Sequence, residues 1–226
     1  MALYLITTPI GNLRDITRRA KEELSQMDLI LAEDTRHTAK LLKHLNIDNY
    51  EITTYNDQNK QRKIPLIITL LKQGKNIGLV SNAGSPVISD PGYELVKRAI
   101  SQKIDIISIP GPTALTSALV VSGFPPTRFT FLGFLPKSKA KKLSIFKSLN
   151  QTRDNIPTII IYESPKRLIA TLKEAQKAFG DISTVICREL TKKFEEKVRG
   201  DISEVIKTLQ LREEIKGEIT VLFKLK

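Results

Sequence analysis

Three short runs of acidic and basic residues each follow an apolar segment of the chain, at residues 33–37, 163–167 and 188–192. Carboxylates serve enzymes as general bases, and a neighbouring guanidinium orients an anionic group or stabilises developing negative charge. Helix capping would place the same residue types after a strand, with Thr35 as the N-cap of the helix that follows the first run. Both interpretations stay open for a single run, but three runs at three strand ends favour a polar site.

Three turns rich in Gly, Pro and small hydroxyl residues also follow apolar segments, at residues 7–12, 81–86 and 110–114. Small side chains let a ligand approach the backbone, whose amides then contact its polar atoms. One such turn alone is better explained as a tight strand-to-helix connection, whereas three together favour a ligand crevice. None of them is a Walker A loop or a Gly-x-Gly-x-x-Gly fingerprint, so kinase, GTPase and ordinary dehydrogenase functions lose their main support.

The elements that must position these residues alternate short apolar runs with amphipathic stretches, which predicts an α/β fold. Continuously apolar strands in the first half predict a mostly parallel sheet covered on both faces. Gly and Pro at 123–126 interrupt the pattern, and we predict two α/β domains, an N-terminal one of residues 1–122 and a C-terminal one of residues 123–226. The predicted strands are 3–6, 29–32, 77–80, 105–109, 129–134, 158–162, 184–187 and 218–225. The predicted helices are 16–27, 35–45, 64–73, 93–100, 113–121, 166–179 and 202–211, and a further helix is expected between strands 129–134 and 158–162.

The chain has 226 residues and a formal net charge of +12, from 36 Lys and Arg against 24 Asp and Glu. Its 41% of hydrophobic residues suffice for a packed core and exclude a disordered tail protein. The excess of positive charge indicates a polyanionic partner, either nucleic acid or an acidic membrane surface, although a lysine-rich proteome would produce the same excess. Residues 137–147 carry several lysines and no acidic residue, which favours either a phosphate-backbone contact or a solvated loop and helix start.

Cys187 is the only cysteine, and the chain has 2 histidines. An internal disulfide framework and a thiolate metal cluster are therefore excluded, a His-rich metal site is not expected, and Cys187 is predicted to be a small buried hydrophobe. The N-terminal apolar segment reads as a strand and not as a signal peptide, and no apolar run approaches the roughly 20 residues that cross a bilayer. We expect a cytoplasmic protein without a metal and without a membrane segment.

Seven motifs occur in one order along the chain, and together they carry a family resemblance. They are Leu-Ile-Thr-Thr-Pro-Ile-Gly-Asn-Leu-Arg-Asp-Ile at 5–16, Ala-Glu-Asp-Thr-Arg-His-Thr at 32–38, Ser-Asp-Pro-Gly at 89–92, Pro-Gly-Pro-Thr-Ala at 110–114, Gly-Phe-Leu-Pro at 133–136, Tyr-Glu-Ser at 162–164 and Arg-Glu-Leu-Thr-Lys at 188–192. Over essentially its whole length the chain resembles the bacterial 16S rRNA (cytidine-2′-O)-methyltransferases. These enzymes belong to the tetrapyrrole methylase superfamily, the class III S-adenosylmethionine methyltransferases.

The resemblance implies two α/β domains with S-adenosylmethionine in the cleft between them, and a homodimer. It also implies methylation of the ribose 2′-hydroxyl of a decoding-region cytidine in 16S rRNA within the 30S subunit. The cofactor contacts that it implies are Pro9, Ala83, Gly84, Ser85, Ile88, Thr113, Ala114, Tyr162, Glu218 and Ile219. One position departs from the family, which usually reads Ser-Asp-Ala-Gly: Asn82 stands in the place of the Asp, keeping an acceptor but losing the charge of an ionic role.

Methyl transfer from a sulfonium requires oxygen, carbon and sulfur nearly in line, and a ribose hydroxyl is a weak acid that a base would activate. The candidate bases are Glu33, Asp34 and Glu189, and Arg36, Arg188 and Lys192 are expected to orient phosphate or stabilise the alkoxide. The expected RNA contacts are Arg14, Arg18, Lys137, Lys139, Lys141 and Lys142. Two alternatives remain: a non-catalytic RNA-binding or ribosome-assembly protein on the same fold, and a methylase of a small, tetrapyrrole-like acidic macrocycle.

Overall fold

A computed structural model describes residues 2–151 and 155–225. The chain divides into two compact units, Met1–Thr113 and Ala114–Lys226, and each is built on one five-stranded sheet with helices packed against it. The predicted α/β class, with two α/β domains, is confirmed.

In the first unit every strand pair is parallel, in the order β3-β2-β4-β1-β5, as the apolar strands predict. All five strands therefore end at the same edge of the sheet. The elements of this unit are β1 (Ala2–Ile6), a 3₁₀ turn (Leu13–Asp15), α1 (Arg18–Leu24), β2 (Leu29–Ala32), α2 (Thr35–His44), β3 (Ile52–Thr54), α3 (Lys60–Lys72), β4 (Ile77–Val80), α4 (Tyr93–Ser101) and β5 (Asp105–Ile109).

Alternate residues of the central strands pack into two different cores. Leu29 and Leu31 of β2 pack with α3 and α4, whereas Ile30 and Ala32 pack with α1 and α2. Successive side chains of a strand point to opposite faces, so a strand that is buried at every residue needs helices on both sides of its sheet. The same sequence feature thus predicts the parallel pairing and the two helical layers.

The helix predicted at 16–27 begins later than its apolar pattern suggests. Thr17 caps α1, and its hydroxyl accepts a hydrogen bond from the Ala20 amide at 3.1 Å. Residues 13–15 form the separate 3₁₀ turn, in which the side chain of Asn12 accepts from the amide of Arg14. Side-chain caps satisfy the first amides of a helix and so fix where it starts.

In the second unit the sheet order is β6-β7-β10-β8-β9. Only the pair β6–β7 is parallel among the strands of this sheet, and the other three pairs are antiparallel. One core joins this sheet to α6, α7 and α8. The elements are α5 (Ala114–Ser122), β6 (Phe129–Phe134), α6 (Lys139–Gln151), β7 (Thr158–Glu163), α7 (Pro165–Phe179), β8 (Ser183–Arg188), β9 (Glu196–Asp201), α8 (Ile202–Gln210) and β10 (Ile219–Lys224).

The division between the units falls at Thr113/Ala114, nine residues before the predicted boundary at 122/123. Helix α5 packs against β10 and β7 and therefore belongs to the second unit. The break at 123–126 ends this helix: Gly123 has φ +75°, a left-handed conformation that closes helices and that Gly adopts without strain. Gly and Pro residues end helices and also mark domain boundaries, so the sequence alone does not distinguish the two. The packing of α5 shows that residues 123–126 end a helix.

Candidate active site

Two of the small-residue turns are fastened to each other at the carboxyl edge of the first sheet. The backbones of Thr8 and Gly84 exchange two hydrogen bonds, from the Thr8 amide at 3.0 Å and from the Gly84 amide at 3.1 Å. The hydroxyls of Thr7 and Ser85 lie 2.9 Å apart and share a further hydrogen bond. Because β1 and β4 are neighbours in the sheet, residues separated by more than 70 positions meet here.

The third turn, residues 110–114, packs against Thr7. A Cβ placed on Gly111 would lie 2.9 Å from Thr7 Cγ2, and the Thr7 amide donates to the Ile109 carbonyl at 3.1 Å. A Cβ on Gly84, which has φ +85°, would lie 3.6 Å from the Pro112 carbonyl oxygen. The structure therefore brings together all three turns that the sequence singles out, and it leaves no room for a larger residue at Gly111.

The small hydroxyl groups in these turns hold the backbone in place. Ser81 Oγ donates to the Gly84 carbonyl at 3.0 Å, and Thr8 Oγ1 donates to the Ser81 carbonyl at 3.2 Å. Both bonds are buried, and a buried hydrogen bond inside a packed turn keeps the turn rigid. The predicted cofactor residues Ala83, Gly84 and Ser85 therefore lie on a fixed loop.

The segment after this loop contains strained backbone. Val87 and Ser89 have φ of 76° and 67°, and they flank Ile88, a residue that is 44% exposed. A β-branched residue in the left-handed region is a genuine outlier that costs about 1–3 kcal/mol, and such strain clusters at ligand sites. Gly92 has φ +144°, and a Cβ there would lie 2.8 Å from both Leu79 and Val87, so the strained segment is held by close packing.

Glu33 and Asn82 meet at the ends of the neighbouring strands β2 and β4. Asn82 Nδ2 donates to Glu33 Oε2 at 3.0 Å. Asn82 Oδ1 is buried and has no hydrogen-bond partner among the residues that the structure describes. A buried acceptor normally has a donor, which a bound water, ion or ligand can supply. The sequence names both residues, but their pairing over 49 positions is visible only in the structure.

Asp34 serves as the N-cap of α2, and the prediction that Thr35 caps this helix is wrong. The Asp34 carboxylate accepts from the Arg36 amide at 2.9 Å and from the Arg36 guanidinium at 2.8 and 3.1 Å. Thr35 instead begins the helix, because Asp34 is the last residue with extended backbone. These hydrogen bonds from Arg36 lower the pKa of Asp34 to about 2. A carboxylate of such low basicity is a poor proton acceptor at neutral pH.

Glu189 fastens the start of β10 to the end of β8. Its carboxylate accepts from the Glu218 amide at 2.9 Å and from Lys192 Nζ at 3.0 Å. Burial disfavours the charged form, but these hydrogen bonds outweigh it and lower the pKa of Glu189. A Cβ on Gly217 would lie 2.5 Å from Glu189 Cγ, so the two chain segments approach as closely as Gly permits. The side chain of Glu189 is thus committed to structure.

Tyr162 lies beside the start of α5 in the second unit. Its hydroxyl accepts a hydrogen bond from the Leu115 amide at 3.2 Å, one residue after Ala114. Across β7 and β10, Tyr162 pairs with Thr220, and Glu163 pairs with Ile219. Three predicted cofactor positions of this unit, Ala114, Tyr162 and Ile219, therefore lie near one end of its sheet, with the Glu218 backbone held by Glu189.

The predicted RNA contacts divide into exposed residues and one buried residue. Lys142 is 3% exposed, and its ammonium lies 2.7 Å from Glu174 Oε2 and donates to Thr171 Oγ1 at 3.0 Å. Its prediction as an RNA contact is wrong, because α6 turns this side chain toward α7, where a buried charge needs a paired partner. The remaining residues are exposed, and Arg18 also pairs with Glu22: Arg14, Arg18, Lys137, Lys139 and Lys141.

Cys187 is buried, as predicted, and burial raises the pKa of its thiol to about 11. In the described ranges, 2–151 and 155–225, no group of three His, Cys, Asp or Glu side chains is arranged to hold a metal ion. Within the same ranges no helix is both long and apolar enough to span a membrane.

The sequence matches the family model of the Tetrapyrrole (Corrin/Porphyrin) Methylases over residues 2–206. The chain belongs to this family. Three curated relatives named Ribosomal RNA small subunit methyltransferase I align with nearly all of it. The relative from Thermotoga maritima is 45% identical and covers 97% of this chain and 96% of its own. Those from Halalkalibacterium halodurans and Hydrogenobaculum are 44% and 42% identical, covering 97% and 98% of this chain and 74% and 94% of their own.

Solved structures of low sequence identity share the fold. A cobalt precorrin-4 methyltransferase, a cobalamin biosynthetic enzyme, superposes with a TM-score of 0.70 at 18% identity, covering 99% of this chain and 94% of its own. Uroporphyrin III C-methyltransferase from Thermus thermophilus superposes with a TM-score of 0.65 at 15% identity, covering 98% and 97%. At these identities the likeness extends to the fold alone.

Proposed function

We propose that this chain is an S-adenosylmethionine-dependent methyltransferase that modifies the ribose 2′-hydroxyl of a cytidine in the decoding region of 16S rRNA. The observation that carries the proposal is 42–45% identity, over 97–98% of the chain, to relatives named Ribosomal RNA small subunit methyltransferase I. The predicted site residues support it, because three small-residue turns and the Glu33–Asn82 pair gather at the sheet edge where α/β proteins bind ligands.

S-adenosylmethionine, when bound, supplies an activated methyl group on a sulfonium. The first unit fits such a molecule: its turns are rich in Gly, Pro and small hydroxyl residues, and Asn82 Oδ1 is a buried acceptor that the cofactor's ammonium, amino or hydroxyl groups would satisfy. In this unit the proposed contacts are Pro9, Ala83, Gly84, Ser85, Ile88 and Thr113. The contacts predicted in the second unit, at Ala114, Tyr162, Glu218 and Ile219, stay predictions.

Of the three candidate carboxylates, we propose Glu33 as the group that accepts the proton of the ribose hydroxyl. Asp34 is tied to Arg36 and its pKa is about 2, and Glu189 is tied to a backbone amide and a lysine that lower its pKa. Glu33 is held by a neutral amide beside the clustered turns. Arg36 has a side chain that is 88% exposed, which suits contact with a phosphate.

The substrate that we propose is the 30S subunit, the protein is a homodimer, and its location is the cytoplasm, where ribosomal subunits are found. The formal charge of +12 and the exposed Arg14, Lys137, Lys139 and Lys141 support a phosphate-rich partner. Sedimentation at micromolar concentration tests the dimer, and a monomer under those conditions contradicts it.

Methyl transfer onto 30S subunits from a strain that lacks this enzyme tests the function directly. Radiolabelled S-adenosylmethionine should label 16S rRNA, and mapping should place the label on one cytidine ribose. Binding of subunits without transfer, in the presence of the cofactor, would support an assembly protein. Label that appears only on a small acidic macrocycle would support a metabolic methylase, and such an enzyme would show little salt-dependent RNA affinity.

Glu33→Gln tests the base separately from cofactor binding. We expect single-turnover methylation to slow by about 100-fold or more, the usual range for a general base, with the calorimetric affinity for S-adenosylmethionine unchanged. Asp34→Asn is the matched control, because it changes the adjacent carboxylate in the same way and should leave the rate within a few-fold. If Glu33→Gln transfers methyl groups at the original rate, Glu33 is not the base.

A further inference from the structure

We propose that Phe134 stacks on a nucleobase of the RNA substrate and that Lys137, Lys139 and Lys141 contact phosphates beside that base. This proposal rests on the function proposed above and adds a residue that reads the RNA through a base face. It concerns the second unit alone.

A β-bulge aims the Phe134 side chain outward. In the parallel pair β6–β7, Phe131 lies opposite Ile160 and Phe134 lies opposite Tyr162, so three steps along β6 match two along β7. Gly133 sits at the shift with φ +58°, which Gly adopts without strain. Bulges re-aim side chains and are common next to functional sites. The register shift and the glycine together set the direction of this one ring.

The exposed ring stands on a rigid base. Phe134 is 57% exposed, and its ring meets that of Tyr162 edge to face at a centroid distance of 5.7 Å. Leu135, the next residue, is buried, and the Arg167 guanidinium donates to its carbonyl at 3.1 Å. The same guanidinium lies 2.6 Å from the buried carboxylate of Glu163. A ring fixed in this way loses little conformational entropy on binding a flat partner.

The charge around the ring selects the partner. Lys137, Lys139 and Lys141 are exposed and follow Phe134 within seven residues, and no acidic residue occurs from 134 to 151. The nearby carboxylates Glu163 and Glu174 are buried and paired with Arg167 and Lys142. An exposed aromatic face beside cations that pair with no carboxylate of the described residues is an arrangement that binds single-stranded nucleic acid, by stacking and by phosphate contact.

A fluorescent replacement of the ring provides the direct test. The chain contains no Trp, so Phe134→Trp introduces a single Trp whose fluorescence can be excited selectively over that of the 5 tyrosines. Phe129→Trp is the matched control at the other end of the same strand, roughly 16 Å away. The probes are an oligocytidine RNA of about 15 nucleotides and an abasic ribose-phosphate strand of equal length. We expect the oligocytidine to quench Phe134→Trp, and the abasic strand and the Phe129→Trp protein to give no change.

Affinity measurements separate stacking from charge. Phe134→Ala should weaken binding of the base-bearing RNA by about 5- to 100-fold without changing the slope of log affinity against log salt. Replacing Lys137, Lys139 and Lys141 by Gln should reduce that slope by roughly 0.7 for each phosphate that the variant no longer neutralises. Phe129→Ala serves as the control for affinity, and far-UV circular dichroism verifies that each variant is folded.

Two results would overturn the proposal. The first is that the Phe134→Ala variant and the wild-type protein have the same affinity for the oligocytidine, and that each protein binds the abasic strand equally well. The RNA would then be bound through its backbone alone. The other is quenching of Phe134→Trp by S-adenosylmethionine alone, which assigns the ring to the cofactor. Methyl transfer to 30S subunits is measured separately, so the proposed function stands or fails independently of the quenching.

Discussion

The two units hold their strand ends together by different interactions. In the first unit, backbone and hydroxyl hydrogen bonds join turns that are uncharged and rich in small side chains. In the second unit, a buried chain of charged and polar groups follows β7. Arg167 lies 2.6 Å from Glu163, Thr171 donates to Glu163 at 2.7 Å, and Lys142 joins Thr171 to Glu174.

This difference indicates a division of labour. Neutral turns leave space and backbone polar groups for a ligand without imposing a fixed charge on it. A buried ion network offers no such space, but it holds the loop of Leu135 and the start of α6 in one arrangement beneath the exposed lysines. The first arrangement should therefore fail when its space is filled, and the second when its charges are unbalanced.

The largest effect is expected from breaking the charge balance in the second unit. Lys142→Met leaves the Glu174 carboxylate buried without its cation, which should lower the free energy of unfolding by about 3–5 kcal/mol. Denaturant unfolding measures the change. Lys141→Met, one residue away and exposed, should have little effect. The double variant Lys142→Met/Glu174→Leu should recover most of the stability, and a double variant as unstable as the single one would contradict this account.

A smaller effect is expected from filling space in the first unit. The added Cβ of Gly111→Ala would lie 2.9 Å from Thr7 Cγ2, so overpacking should cost about 1–3 kcal/mol and weaken S-adenosylmethionine binding at least about tenfold. Thr7→Ser removes that methyl group but keeps the Thr7 Cβ, which would lie 3.0 Å from the added atom, so the double variant should recover part of the binding. Gly74→Ala is the control: with φ +94° and no atom within 4 Å, it tests backbone strain without a clash. Calorimetry that finds unchanged affinity in Gly111→Ala would argue against a tight turn cluster.

The smallest effect is expected from a charge added beside Glu33, the carboxylate next to the neutral turns. Asn82→Asp replaces the amide donor with a second carboxylate against Glu33, and each of two adjacent carboxylates disfavours the ionisation of the other. If Glu33 accepts the proton of the hydroxyl, methylation by the variant should need a higher pH, with its rate recovering as the pH rises. Asn82→Ala removes the hydrogen bond to Glu33 without adding a charge, so it should move the midpoint of the single-turnover pH profile less far upward than Asn82→Asp does. Identical profiles for all three proteins would disprove this coupling.

The predicted bounds of β2 and β4 are those of the structure, because these strands consist of apolar residues and one Gly and are buried throughout. The predicted bounds of β5 and β6 match as well, although both are partly exposed strands at sheet edges. The sequence pattern does not predict strands β3 and β9. Both lie at sheet edges, and β9 reads Glu-Lys-Val-Arg-Gly-Asp, whose charges suit an exposed edge and carry no period-2 apolar pattern. Their pairing partners, β2 and β8, decide that they are strands.

Local sequence patterns are enough to predict the α/β class, the parallel first sheet, the three small-residue turns and the family motifs, since each depends on neighbouring residues. The contact of Glu33 with Asn82, the burial of Lys142 against Glu174 and the bulge that exposes Phe134 are visible only in the folded chain. These contacts depend on strand register and on the direction in which each helix face points. Strand register and the orientation of each helix face are set by packing between distant segments, and so no local pattern of charge or hydrophobicity encodes them.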